Sequence, residues 1–294
     1  MERRPGPQAA SADRGPRDRR RAKAIVSVVI PTLNEAANIG WVLERLPAIV
    51  DEVVLVDGRS TDGTVEVARS ARPDVHVVLE RRPGKGAALR AGFAAARCDY
   101  IVMIDADGSM EPGEIELCVR HLEDRRRPQH PGRHEFVKGS RFAEGGGSSD
   151  ISLVRRAGND ALRRLVNALY GVEFTDLCYG LCAFRRDGLD ALALSSDGFE
   201  IETEISVRAV KAGLRIGEVA SFESERLNGE SNLSAWRDGR RVLRTLFRER
   251  FSMATLVHKR SSERVASHAT HRHSRLNGKQ ARDDGEAPPL ARTG

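Results

Sequence analysis

The ten residues YIVMIDADGS (100–109) place two carboxylates directly behind an almost entirely apolar segment. An apolar run of this kind, with β-branched residues, is typical of a strand buried on both faces of a parallel sheet. Asp105 and Asp107 follow it, separated only by Ala106, and residues two apart in an extended segment project to the same side. Two carboxylates this close raise each other's pKa unless a cation lies between them. The stretch therefore predicts a buried strand that leads into a charged binding site.

The segments around this strand alternate between strand and helix patterns. Apolar, β-branched runs predict strands at 25–30, 52–57, 75–80 and 100–105. Helical patterns occupy 34–47, 61–71 and 84–96, between these strands. Such alternation with short loops predicts an α/β fold, a mostly parallel sheet with helices on both faces.

Polar residues follow three of the predicted strands. Ligands of such sheets bind beyond the carboxyl ends of the strands. The residues expected to meet at this edge are Pro31, Thr32, Glu35, Asp57, Asp105 and Asp107.

The Asp-x-Asp pair suits a divalent metal. Mg²⁺ prefers one or two carboxylates and leaves its other positions to water and substrate phosphates. The alternative is an aspartate that caps a turn or a helix, because Pro112 opens a helical pattern soon afterwards. One aspartate would satisfy that alternative, so the pair favours Mg²⁺ or Mn²⁺.

Two familiar nucleotide motifs are absent from the sequence. The turn PTLNEAANIG (31–40) has no G-x-G-x-x-G, which argues against a dinucleotide cofactor. The segment PGKGAAL (83–89) lacks the spacing of a P-loop and the Ser or Thr after its lysine. Lys85 is either a phosphate ligand or a solvated lysine in a glycine turn.

Composition and charge bound the organisation of the chain. The 294 residues carry a net charge of +6, and no apolar run approaches the ~20 residues of a membrane-spanning helix. Residues 1–23 and 253–294 are rich in polar residues and lack apolar periodicity, which predicts disordered basic tails around a domain at 24–232 and a helix at 233–252. The first 23 residues contain no signal peptide pattern, so we expect a cytoplasmic protein, at most peripheral to the inner face of the plasma membrane.

A series of motifs resembles the family 2 glycosyltransferases of GT-A fold, and within them the dolichyl-phosphate or polyprenyl-phosphate mannosyltransferases. The matching stretches cover roughly residues 26–233 in the family's order. They are VVIPTLNEAANI, VVLVDGRSTDGT, GKGAALRAGF, IVMIDADGSMEP, KGSRF, RRAGNDAL, TDLCYGLCAF, GFEIETEISVRAVKAGLRIGEVASF and ERLNGESNL. The resemblance implies inverting, metal-dependent transfer of a hexose, mannose or glucose, from a nucleotide-sugar to a polyprenyl phosphate. No nucleic-acid partner is expected.

The resemblance also implies roles for individual residues. Pro31, Glu35 and Asp57 match the pocket for the donor's nucleoside, and Arg226 and Ser231 match a late segment that closes over its phosphates. Asp105 and Asp107 match the metal and diphosphate site, with Ser109 as a third ligand. Arg141 and Arg156 match arginines that hold the acceptor's phosphate. We therefore assign catalysis to Asp107, Arg141 and the acidic position Glu204.

The chain departs from the family pattern at three positions. The usual D-D-G-S is here Asp57-Gly58-Arg59-Ser60, so one acidic residue is replaced. Cys182 stands where many relatives have an arginine, and Asn232 stands where a lysine is common. These positions bear on the donor contacts and on the acceptor.

The acceptor has alternatives. A phosphomonoester is already anionic near neutral pH, with a second pKa near ~6, and needs no general base. A sugar hydroxyl would need a carboxylate, and GFEIETEI (198–205) offers Glu200, Glu202 and Glu204. Glu200 and Glu204 share a helix face from which Glu202 points away. A soluble or hydroxyl acceptor is therefore the second hypothesis, and a non-catalytic nucleotide-sugar-binding protein is the third.

The segment LSAWRDGRRVLRTLFRERF (233–251) predicts a basic amphipathic helix. Its apolar residues Trp236, Val242, Leu243, Leu246 and Phe247 lie among six arginines. Such a helix either lies on an anionic membrane or packs its apolar side on the domain.

Overall fold

The computed structural model describes residues 26–124, 134–230 and 234–252. The predicted tails and Ser231 lie outside these ranges. The strands are β1 Val26–Thr32, β2 Val50–Asp57, β3 His76–Leu79, β4 Tyr100–Met103, β5 Phe136–Ser140, β6 Gly147–Ser148, β7 Cys182–Arg185, β8 Ile216–Ala220 and β9 Phe222–Glu223. The helices are α1 Ala36–Glu44, α2 Thr64–Ala71, α3 Lys85–Ala95, α4 Glu114–Glu123, α5 Leu153–Tyr170, α6 Arg186–Asp190, α7 Ile201–Ala212 and α8 Ala235–Phe251.

Seven of these strands form one mostly parallel sheet in the order β3-β2-β1-β4-β7-β5-β8. The four strands predicted from the apolar runs are its parallel half, since β1 pairs in parallel with β2 and β4, and β2 with β3. Strand β7 is antiparallel to both of its neighbours, β4 and β5. The alternating pattern of the N-terminal half could not predict this strand, because its place depends on long-range pairing.

Alternate residues of the central strands face two helical layers. Val28 and Ile30 of β1 belong to a core with residues of α1, α2 and α4. Val29 of the same strand belongs to a second core with residues of α3, α6 and α7. Helices therefore cover both faces of the sheet, as the strand patterns predict.

The strand ends converge at one edge of the sheet. Thr32 pairs with Asp57 at the carboxyl ends of β1 and β2. Strand β4 ends at Met103, and Asp105 and Asp107 lie just beyond it. The expected ligand edge is therefore formed by these residues.

Helix α8 packs on the domain beside α5 and α7. Val242 and Leu246 are buried in a small core that includes Val166 of α5 and Val207 of α7. Across the described ranges, no helix combines the length and the apolar character needed to cross a membrane.

Candidate active site

The carboxyl ends of β1, β2 and β4 open into a cleft of about 950 Å³. The start of α3, the loops before β7 and α7, and the first turns of α5 and α8 complete its walls. The predicted site residues that line it are Pro31, Thr32, Glu35, Lys85, Asp105, Asp107, Ser109 and Arg226. The predicted residues Asp57, Arg141, Arg156 and Glu204 do not line it, although Asp57 lines a neighbouring depression between β2 and β3.

Lys85 is the cation beside the first carboxylate. Its Nζ lies 2.6 Å from Oδ1 of Asp105 and 2.7 Å from Oε1 of Glu202 on α7. Burial raises the pKa of Asp105 above its usual range, the Lys85 ammonium opposes that rise, and the Asp107 carboxylate adds to it. Lys85 therefore compensates part of the charge that the Asp-x-Asp pair concentrates here.

The glycines beside Lys85 serve close packing. A Cβ at Gly86 would lie 2.4 Å from the backbone oxygen of Ser196, so only glycine fits there. The backbone N–H groups of Gly86 and Ala87 donate to the carbonyl oxygen of Asp197, at 2.8 and 3.1 Å. These N–H groups are thus already paired, and the segment is not a phosphate cradle.

The second carboxylate is held by different partners. Oδ1 of Asp107 accepts hydrogen bonds from the backbone N–H and the hydroxyl of Ser109, at 3.0 and 2.8 Å. Its Oδ2 accepts one at 3.2 Å from Arg226, which also donates to Glu35. Leu227 N–H donates to the carbonyl oxygen of Asp107 at 3.1 Å. The late segment around Arg226 therefore lies directly on the strand-end loops, as the resemblance implies.

Asp57 is buried and has one unused acceptor atom. Its Oδ2 accepts the backbone N–H groups of Arg59 and Ser60, both at 3.0 Å, which fixes the loop after β2. Its Oδ1 is buried and has no hydrogen-bond partner within the part of the chain that the structure describes. An unpaired buried carboxylate oxygen is costly, so this atom is a ready acceptor for a ligand N–H.

Arg141 differs from the sequence expectation. Its guanidinium is 3% exposed and bonds both oxygens of Asp176, with Nε at 2.7 Å and Nη2 at 3.0 Å. Nη1 donates to Glu223 at 3.0 Å, and Nη2 also to the carbonyl oxygen of Cys178. These partners engage the guanidinium on all sides. Arg141 is therefore a buried residue that links two loops and lies outside the cleft.

The structure brings Arg155, and not the predicted Arg156, to the cleft. Arg156 is exposed and its guanidinium lies over the ring of Phe142, away from the cleft lining. Arg155 lines the cleft, with Asp150 at 2.9 Å and Glu223 at 3.9 Å. The family motif pointed to Arg156 alone, and no local pattern shows which side chain at the start of α5 meets the cleft.

Glu204 is also placed differently from its predicted role. Its side chain is fully buried and accepts hydrogen bonds from the N–H groups of Ser195 and Ser196. It also forms an ion pair with Arg208. Glu202 points into the cleft instead, toward Lys85. The helix-face argument separated these two glutamates correctly but could not tell which face meets the cleft.

The oxygen ligands at this site fit a hard divalent cation that also binds phosphate oxygens. Asp105, Asp107 and the hydroxyl of Ser109 supply oxygen atoms, the ligands that Mg²⁺ and Mn²⁺ prefer. Within the described ranges no three His, Cys, Asp or Glu residues cluster as a metal cage. A metal here would therefore depend on the donor's phosphates and on water for most of its ligands.

Two cleft residues from α8 were not predicted as site residues. Arg237 and Arg241 line the cleft together with Asp238, at the first turns of the helix. Their spacing of four residues places them on one face, which was the available signal. The motif series ends before this helix, so only the folded chain shows that α8 reaches the site.

The chain is similar to known glycosyltransferases. The profile described as Glycosyl transferase family 2 matches residues 27–192. Glycosyltransferase AglJ of Haloferax volcanii is 32% identical over 229 residues, which cover 76% of this chain and 71% of AglJ. An undecaprenyl-phosphate mannosyltransferase of Micrococcus luteus is 34% identical over 221 residues, which cover 71% of this chain and 87% of that protein.

A solved structure supports the same fold. Glucosyl-3-phosphoglycerate synthase from Mycobacterium tuberculosis, in complex with Mn²⁺, UDP-glucose and phosphoglyceric acid, superposes with a TM-score of 0.57. The two chains are 25% identical, and the match covers 77% of this chain and 80% of the synthase. The non-catalytic alternative finds no support among these relatives. The chain belongs to glycosyl transferase family 2, has the GT-A fold, and is a glycosyltransferase.

Proposed function

We propose that this enzyme transfers a hexose, mannose or glucose, from a nucleotide-sugar to a polyprenyl phosphate with inversion at the anomeric carbon. One observation carries the proposal: a single cleft joins the strand-end carboxylates to Arg155, Arg237 and Arg241. The first group suits a nucleoside diphosphate, and the arginines suit an acceptor anion. The undecaprenyl-phosphate mannosyltransferase among the relatives supports the same acceptor class.

The donor's nucleoside would lie at the ends of β1 and β2. Pro31 and Thr32 line the cleft there. Asp57 lines the neighbouring depression, which shares Arg59 with the cleft, and we assign its unpaired Oδ1 to an N–H of the base. Both uracil and guanine present such an N–H. Arg59, which stands at the glycine position of the family's D-D-G-S motif, lines the same end of the cleft.

The diphosphate would lie among Lys85, Asp105, Asp107 and Arg226. Binding of the donor would draw Lys85 and Arg226 from their present carboxylate partners toward phosphate oxygens. A divalent ion held by Asp105, Asp107 and Ser109 would stabilise, as a Lewis acid, the negative charge that develops on the leaving diphosphate. Ser231, outside the described ranges, stays a predicted contact of this segment.

The acceptor phosphate would attack from the opposite side of the sugar. Its oxygen forms a bond to the anomeric carbon while the bond from that carbon to the donor's β-phosphate oxygen breaks, and a nucleoside diphosphate leaves. A phosphomonoester is already anionic near neutral pH, so the step needs orientation and charge matching but no proton acceptor. We assign the orientation to Arg155, in place of Arg141 and Arg156.

A hydroxyl acceptor is the second candidate function. One observation favours it: Glu202 is a carboxylate that lines the cleft, as a general base requires. Lys85 donates a hydrogen bond to this carboxylate at 2.7 Å, which holds it at the cleft wall.

The adjacent arginines provide a matched test. Arg155→Gln should raise the KM for a prenyl phosphate about tenfold or more and leave the KM for the donor unchanged, because one charge-assisted contact is lost. Arg156→Gln is the control, since its guanidinium points away from the cleft. If Arg156→Gln and not Arg155→Gln raised the acceptor KM, the assignment of the acceptor site would be wrong.

A further inference from the structure

Helix α8 presents three different faces, and one of them has no packing partner among the described residues. At ~100° per residue, Val242, Thr245, Leu246 and Glu249 fall on the buried side. Arg237 and Arg241 fall on the side that borders the cleft. The remaining, outward side carries Trp236, Leu243 and Phe247.

The outward face is apolar and cationic. Trp236, Leu243, Phe247 and Phe251 are 84%, 39%, 58% and 79% exposed. Their spacing of seven, four and four residues confines them to about 80° of the helix circumference. Arg240 falls within the same arc, Arg244 lies about 20° beyond it, and both are exposed. Val242 and Leu246, predicted from the sequence to belong to the apolar side, are buried in the domain and take no part in this face.

The acidic residues of α8 do not offset these charges. Asp238 is 5% exposed and lies near Arg237 and Arg241, within 3.7 Å. Glu249 is 1% exposed and bonds Arg208 and Lys211 of α7. The outward face therefore combines aromatic side chains with positive charge alone, which is the composition of a helix that lies on an anionic bilayer.

Exposed apolar residues also occur at the start of α5. Leu153 and Val154 are 84% and 68% exposed, and they immediately precede Arg155 of the cleft. Trp236 likewise immediately precedes Arg237 of the cleft. Exposed apolar residues thus flank two points of the cleft rim, beside its arginines.

We infer that Leu153 and Val154 of α5 and Trp236, Leu243, Phe247 and Phe251 of α8 form a docking face for an anionic lipid bilayer. Docking would insert the aromatic side chains at the level of the lipid headgroups and hold the cleft rim at the membrane surface. The inference rests on the proposed function in one respect, because a polyprenyl phosphate is presented at that surface. The acceptor's phosphate would then reach Arg155 while its chain stays in the bilayer.

Vesicle binding tests the face without any acceptor. The full-length protein should sediment with phosphatidylglycerol-containing vesicles, less with purely zwitterionic ones, and less when salt is raised. Trp236→Ser combined with Phe247→Ser should weaken this binding at least about tenfold, because two large apolar side chains no longer leave water. Leu79→Ser is the apolar control, 72% exposed on the edge strand β3. Arg244→Gln should also weaken binding, whereas Arg120→Gln, on α4 across the sheet, should not.

Activity assays then separate this inference from the proposed function. The Trp236/Phe247 variant should keep its transfer to a short, water-soluble prenyl phosphate and lose transfer to a long one embedded in vesicles. Vesicle binding without transfer to either prenyl phosphate would support the docking face while refuting the proposed acceptor. Absent vesicle binding, binding that the variant retains, or a dimer that the variant dissociates would overturn the docking face.

Discussion

At the scale of single residues, the unpaired oxygen of Asp57 is the sharpest feature of the donor end. Asp57→Asn keeps an oxygen for the loop N–H groups and removes the carboxylate that we assign to the base. We expect UDP or GDP, whichever the protein binds, to lose affinity about tenfold or more, as expected for a hydrogen bond to a charged group. Isothermal titration calorimetry measures this loss. The control is Asp74→Asn, which changes an exposed carboxylate before β3, at the amino ends of the parallel strands. Equal affinities for the unchanged protein and the two variants would refute the assignment.

Arg141 gives the second prediction at this scale. Arg141→Met leaves Asp176 and Glu223 buried without their cation. Removal of one partner from a buried ion pair is expected to lower the free energy of unfolding by about 3–5 kcal/mol. Denaturant unfolding without substrate measures the change. A variant of unchanged stability whose acceptor KM rises would show instead that Arg141 contacts the acceptor, as the sequence motif suggests.

The residue scale also shows where sequence reasoning ends. The strand-end carboxylates and Lys85, Glu35 and Arg226 were predicted from motifs, and the structure brings them together in one cleft. Arg155 was not predicted, and Glu202 against Glu204 was not resolved, because a shift of one or two residues on a helix changes the face. Which face meets the cleft depends on helix packing, which no local pattern encodes.

At the scale of elements, Glu249 joins α8 to α7. Its carboxylate accepts hydrogen bonds from Arg208 at 2.8 Å and from Lys211 at 3.0 Å. Burial raises the pKa of Glu249, but the hydrogen bonds from Arg208 and Lys211 outweigh burial and hold it below the ordinary value of 4.5. The stabilisation is therefore present above pH 4.5 and is lost as the pH falls through the lowered folded-state pKa.

Glu249→Gln tests this connection. At pH 7 the variant should be less stable by about 1–3 kcal/mol, because the charge-assisted bonds are weakened. The difference from the unchanged protein should shrink as the pH falls from 4.5 through the lowered folded-state pKa, below which both proteins carry a neutral side chain. Thermal unfolding across pH 3–7 measures it. Glu116→Gln, in an exposed pair with Arg120, should differ by less than about 1 kcal/mol throughout, and a pH-independent Glu249 effect would contradict the account.

Elements differ in how far the sequence predicts them. The βα units of the N-terminal half follow from local periodicity, since each apolar run becomes a strand of the parallel half-sheet. The antiparallel β7 and the two-stranded ribbon β6–β9 pair residues that are distant in sequence. For α8, the reading in which an apolar side packs on the domain holds for Val242 and Leu246, whereas a second apolar side is exposed.

At the scale of the whole molecule, the cleft joins two parts of the chain. The ends of β1, β2 and β4 lie within residues 27–192, which match the family, whereas the arginines of α8 lie beyond them. The family alone leaves the acceptor open, since glucosyl-3-phosphoglycerate synthase, a structural neighbour, is crystallised with a soluble phosphorylated acid. Both that acid and a polyprenyl phosphate carry a phosphate group. The two proposals therefore differ in the acceptor's lipid chain and in the attacking oxygen, which belongs to a phosphate in the first proposal and to a hydroxyl group in the second.

The most direct measurement is lipid-dependent transfer by the purified full-length protein. UDP- and GDP-linked hexoses, with Mn²⁺ or Mg²⁺, are incubated with a prenyl phosphate or with soluble acceptors, and the released nucleotide and the glycosylated product are quantified. We predict that release of the nucleoside diphosphate requires the prenyl phosphate, yields a hexosyl prenyl phosphate, and falls at least about a hundredfold in Asp107→Asn. Turnover with a soluble hydroxyl acceptor and none with any prenyl phosphate would contradict the account.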